Sequence, residues 1–183
     1  SVDELIEELR RRLEKLLREA EELLKESRKR HEELKKRSKE LLDELEREVE
    51  RVLEELRRKG VSDDKVKRVE DRLTELIRDL RRAHKESEKN SRDDIRRLEE
   101  VLKKLEKKIR DLERELEEMR RSKDEEVIER VIRKADEIIK RLKKELREVV
   151  ERSKENIKKL EEENRRVIKK AREELRKIEE EIR

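Results

Sequence analysis

The sequence predicts an all-α fold: an elongated, coiled-coil-like antiparallel bundle of three helices, each about 58 residues long. Three observations carry this expectation: the residue alphabet, the spacing of its apolar members, and two interruptions that divide 183 residues into nearly equal thirds. Lys, Arg, Glu and Asp make up 62% of the chain and apolar residues only 30%. A chain so charged would ordinarily stay disordered, because burial could not offset the conformational entropy lost on folding. Here the apolar residues recur at intervals of three and four almost without a break, so they gather into one narrow stripe per helix while the other faces stay charged. Such a stripe is buried by bundling.

The first helix is expected over residues 2–59. Ser1 and Glu4 have capping-box spacing at its start. Its ladder is Ile6, Leu9, Leu13, Leu16, Ala20 and Leu23, then Leu34, Leu41, Leu45, Val49, Val52 and Leu56. Lys59-Gly60-Val61-Ser62-Asp63-Asp64 ends it. Gly60 suits the left-handed conformation of a helix terminus, Ser62 is placed to cap the next helix, and Val61 and Val66 are spaced as a hydrophobic staple. The second helix, residues 63–120, carries Val69, Leu73, Ile77 and Leu80, then Ile95, Leu98, Leu102, Leu105, Ile109 and Leu112. A second break falls at Arg121-Ser122-Lys123-Asp124-Glu125, where Ser122 and Glu125 have capping-box spacing. The ladder would continue at Lys123 and Glu126 and instead restarts out of phase at Val127, Val131 and Ala135. The third helix, residues 124–183, adds Ile138, Leu142, Leu146, Val149, Ile157, Leu160, Ala171 and Leu175. Each helix would be roughly 90 Å long at about 1.5 Å per residue. Residues 1–183 read as one helical-bundle domain.

A competing architecture breaks the second helix at Asn90-Ser91-Arg92-Asp93-Asp94, which resembles the two loops. The resulting four-helix chain would dimerise. Against it, the three-four spacing runs unbroken through Leu80, His84, Ser87, Ser91, Ile95 and Leu98, so continuity is favoured.

The formal net charge is +4, and both signs are interleaved along the chain. A nucleic-acid binder would concentrate Lys and Arg on one face, often with aromatics for stacking, and no aromatic residue occurs. Absence of cysteine excludes disulfide and thiol chemistry. The longest apolar run is two residues, far short of a membrane span, and no targeting signal is visible. A soluble chain of recombinant cytoplasmic production is the expectation, with Ser1 in place of an initiator Met fitting a product freed of its tag.

The most informative positions are polar residues set into the apolar stripe near mid-helix. They are Ser27, His31 and Ser38 in the first helix, His84, Ser87, Asn90 and Ser91 in the second, and Ser153, Asn156 and Asn164 in the third. Folding the helices back about loops near 61 and 122 puts His31, Ser91 and Ser153 at one height and Ser38 level with His84. It also puts Asp94 near Ser27 and Asn156 near Ser87, and leaves Asn164 facing Leu41 and Leu80. An unpartnered buried polar group costs about 1–3 kcal/mol, whereas a satisfied network is nearly neutral and rejects registers that would leave its members unpaired. A structural network setting register is therefore expected at these ten positions.

The functional alternatives fare worse. The two histidines lie on different helices about six residues apart in height, roughly 9 Å, and no His pair occurs at i, i+4, so no metal site is expected. Catalysis needs a nucleophile, a base and an orienting group around a cavity, and Ser91 beside His31 in a narrow bundle offers little room. A pH response is a further alternative: buried neutral histidine disfavours the charged form, so stability would fall as pH falls.

With its restricted alphabet, equal helices, terse capped loops, and Ser and His layers such as His31, Ser91 and Ser153 in an aliphatic seam, the chain resembles computationally designed helical bundles with modular buried hydrogen-bond networks. The resemblance covers the whole chain and rests on style, since motifs such as Gly60-Val61-Ser62-Asp63-Asp64 are generic. It implies a structural scaffold that is no enzyme, takes no cofactor and requires no partner. Homo-oligomerisation or a designed helical partner is the main alternative, kept open by apolar residues beside the seam: Leu17, Leu24, Leu42, Ile132, Ile139 and Val150. Spectrin-like repeats and apolipoprotein-like lipid binders fit less well, lacking here the aromatic anchors and wide apolar face they would use.

Overall fold

The computed structural model describes residues 1–182 and consists of three long helices that pack pairwise against one another: α1 (Val2–Arg58), α2 (Asp63–Arg120) and α3 (Glu125–Ile182). α2 runs uninterrupted through Asn90, as the unbroken ladder there requires, and the four-helix alternative is not the one adopted. Residue 183, the expected last residue of the third helix, lies outside the described residues.

The helix ends follow backbone chemistry. After α1, Gly60 N–H donates to the Arg57 carbonyl at 3.4 Å, and its φ of +65°, the left-handed conformation, turns the following chain out of the helix. Ser62 holds the N-cap position through its carbonyl, which accepts from Lys65 and Val66 N–H, both at 3.0 Å. Val61 and Val66 both pack on the core beneath. At the second break the expected Ser122–Glu125 box gives way to Asp124. Its Oδ1 accepts from the N–H groups of Glu126 (3.1 Å) and Val127 (3.4 Å), while the Ser122 hydroxyl accepts from Asp124 N–H at 3.4 Å. A carboxylate takes two free amides and meets the positive helix end with a full charge, which a hydroxyl cannot match. At the chain start Ser1 Oγ accepts from Glu4 N–H at 3.3 Å.

Contacts group the chain into two compact units. The first comprises residues 1–29 and 93–156. Its core joins Ile6, Leu13 and Leu16 of α1, Ile109 and Leu116 of α2, and Ala135 and Ile139 of α3, all essentially without solvent contact. α1 and α2 run antiparallel here, as the Arg10–Glu117 (3.2 Å) and Arg28–Glu99 ion pairs show, and α1 and α3 run parallel, as Arg12–Asp136 (2.6 Å) and the Ser27–Ser153 hydroxyl pair (3.0 Å) show together. The second unit comprises residues 30–92 and the described residues from 157 onward. Leu45 and Leu56 of α1, Leu73 of α2, and Leu175 and Ile178 of α3 close its core. Arg57–Glu70 (3.0 Å) and Arg81–Glu46 (2.8 Å) record the antiparallel α1–α2 register, and Arg72–Glu181 (2.5 Å) that of α2–α3.

Burial dominates both units: a fully buried Leu or Ile contributes about 1.5–3 kcal/mol, against about 0–1 kcal/mol for an exposed ion pair. The seam departs from the predicted ladder in two ways: Leu34 and Ile95 are only half-buried, with Asp94 buried beside Ile95, and where two apolar residues adjoin the inward member can be the other one. Leu42 and Ile139, expected beside the seam, are buried, while Leu41 and Ile138 are only half-buried. A three-four ladder does not fix which member of a doublet faces inward; the accumulated phase of a helix with 3.6 residues per turn does.

Two substitutions test the caps. Gly60→Ala should destabilise by about 1 kcal/mol in urea unfolding, a purely backbone cost because a Cβ there would meet nothing within 4 Å. Asp124→Ala should cost about 1 kcal/mol and Ser122→Ala clearly less, the reverse of the order expected if Ser122 were the cap.

Candidate functional site

Among the described residues, the polar side chains set into the seam are the candidates for chemistry that the sequence singles out. In the first unit, Ser27 and Ser153 are buried with their hydroxyls 3.0 Å apart. Beside them in the seam, Asn156 Nδ2 donates to Asp94 Oδ1 at 2.8 Å, and Asp94 is itself buried. Fold-back arithmetic set Ser153 level with His31, yet its hydroxyl meets Ser27, one helical turn earlier on α1. Equal heights about a loop centre ignore how the loop staggers α3 and how helical side chains lean toward their N-termini.

In the second unit, His31 is buried and its Nδ1 lies 2.9 Å from Ser91 Oγ. The ring of His84 sits between two partners: Ser38 Oγ lies 2.9 Å from Nδ1, and Glu88 Oε1 lies 2.7 Å from Nε2. The Glu88 carboxylate only accepts, so Nε2 carries a proton; Nδ1 of the neutral ring then accepts the Ser38 hydroxyl proton.

The remaining expected members divide. Asn164 lines a cavity of about 20 Å³ together with Ser38, Leu80 and His84, and its Nδ2 is buried without a hydrogen-bond partner. Ser87 is half-buried, and Asn90 is exposed on the outer face of α2, so Asn90 is not part of a buried network. The residue the sequence reading missed is Glu88. Its signal was present: it lies four residues after His84, the spacing that puts two side chains on one helix face.

Outside the seam, the clearest electrostatic effects are at exposed pairs. A hydrogen bond from Arg12, then Lys140, holds the Asp136 carboxyl below its ordinary value of 3.8. A hydrogen bond from Arg120 does the same for Glu7. Burial, reinforced by neighbouring Glu14, pushes Glu113 up. Among the described residues no three His, Asp or Glu side chains group so as to hold a metal ion, and no helix is long and apolar enough to cross a membrane.

Comparison with protein-family models, curated proteins and solved structures finds no match to this chain.

Two measurements check this geometry. Nitrogen-15 NMR at neutral pH should find the proton of neutral His84 on Nε2, with that preference lost in Glu88→Ala. Because the Asp136 value is depressed, its stabilising contribution is present above about pH 3.8 and is lost as pH falls through the lower folded value. Arg12→Ala should therefore raise the Asp136 carboxyl titration toward 3.8 by NMR.

Proposed function

We propose that the chain is a structural scaffold, built in the manner of designed helical bundles, whose register is set by polar pairs buried in aliphatic seams. The observation that supports this reading is that Ser27–Ser153, Asn156–Asp94, His31–Ser91 and Ser38–His84 are all within hydrogen-bond distance across helices. A slip of either helix by a turn would leave such groups buried and unpaired, at about 1–3 kcal/mol each, so the pairs penalise wrong registers more than they stabilise the right one. The surface suits a self-contained scaffold: the large apolar side chains left exposed, Leu5 and Val101, are scattered and do not form a face.

Replacing both Ser27 and Ser153 by Val should leave thermal stability equal or higher while producing more than one species by native mass spectrometry and light scattering. A single sharply defined species, identical to the parent, would sink the register role. In a double-mutant cycle, Ser27→Ala and Ser153→Ala should show a coupling of about 1 kcal/mol; strictly additive costs would mean that the hydroxyl pair does nothing.

A further inference from the structure

The second unit joins a serine, a histidine and a glutamate in series beside an open groove. Glu88 fixes the proton on Nε2 of His84, which leaves the Nδ1 lone pair facing the Ser38 hydroxyl at 2.9 Å. A base within hydrogen-bond reach of a hydroxyl, itself oriented by a third group, is the arrangement that makes serine a nucleophile. The ring nitrogens are exchanged relative to the usual serine triad, but either imidazole nitrogen can take the proton while the other is held. Ser38 and Asn164 both line a groove of about 600 Å³ between α1 and α3, a size suited to a small ligand. Leu34, Leu41 and Ile168 supply apolar wall, and six cationic side chains against three acidic ones favour negative charge there. The adjoining cavity of about 20 Å³, lined by Ser38, His84 and Asn164, has room for about one water. Asn164 Nδ2 is a donor that the fold leaves unused.

We propose that Ser38, His84, Glu88 and Asn164 form an acyl-transfer site that hydrolyses small carboxylic esters with an apolar acyl group and a good anionic leaving group. Ser38 Oγ bonds to the ester carbonyl carbon as its proton passes to Nδ1 of His84. The carbonyl oxygen takes the negative charge and accepts a hydrogen bond from Asn164 Nδ2. The bond to the leaving group then breaks, Nδ1 returns the proton to that oxygen, and the alcohol or phenol departs. Water attacks the Ser38 acyl ester by the same proton route, releasing the carboxylic acid and restoring the hydroxyl. Glu88 is the positioning residue throughout. This activity goes beyond the structural role and uses the same hydrogen bonds.

The test uses the full chain with two probes. A fluorophosphonate should label Ser38, mapped by peptide mass spectrometry, and labelling should vanish in His84→Gln. With 4-nitrophenyl butyrate, Ser38→Ala should lower kcat/KM on the order of a hundredfold, the low end for a positioned base. Glu88→Gln and Asn164→Ala should lower kcat with KM unchanged, a split that a merely structural loss would not give. Circular dichroism melts confirm that each variant folds. Failure of the parent chain to label at Ser38, or hydrolysis unchanged in Ser38→Ala, overturns the proposal and assigns any turnover to surface lysines or imidazole acting alone.

Discussion

Everything in this structure depends on the narrowness of the apolar stripe. With 30% apolar residues and one stripe per helix, no helix can cover its own seam, and the stripes of neighbouring helices must meet. The two cores show the result, each drawing buried aliphatic side chains from all three helices. Loop chemistry serves that meeting. Gly60 reverses the chain where the first stripe ends, and Asp124 starts the third helix in a phase that turns Ile128, Ala135 and Ile139 inward.

A seam so narrow makes each polar residue in it consequential. On the charged faces, pairs such as Arg12–Asp136 shift a carboxyl's titration yet compete with water and salt, so they colour the surface without deciding the fold. Inside the seam the same kind of hydrogen bond has no water to fall back on, and its loss costs the full desolvation of the group. Ser27 and Ser153, each almost wholly buried, therefore have more to lose with their contact than the ion pairs around them.

Chemistry and structure are not separable at His84. The contact that holds its ring in place, Glu88 on Nε2, is also the contact that selects its tautomer, and the partner that satisfies Nδ1 is a hydroxyl. Buried hydrogen-bonded groups use the residue types on which acid–base catalysis draws. What distinguishes this one from Ser27–Ser153 is its surroundings: a groove, a small cavity and an unused amide lie beside Ser38.

The sequence by itself determined the number, length and boundaries of the helices to within a residue, because period, caps and a lone glycine are local signals written in a restricted alphabet. It also singled out the seam's serines and histidines and matched Ser38 with His84 and His31 with Ser91, pairs joined through one short loop where counting residues measures height. Only the tertiary structure decided the rest. Which of Leu41 and Leu42, or Ile138 and Ile139, faces inward depends on helical phase accumulated over many turns. Ser153 meeting Ser27 depends on the stagger of α3 against α1, two helices that no single loop connects. The partnerless Asn164 amide and the space beside Ser38 arise from three-dimensional packing, where a mismatch of a few ångströms separates a satisfied donor from a free one.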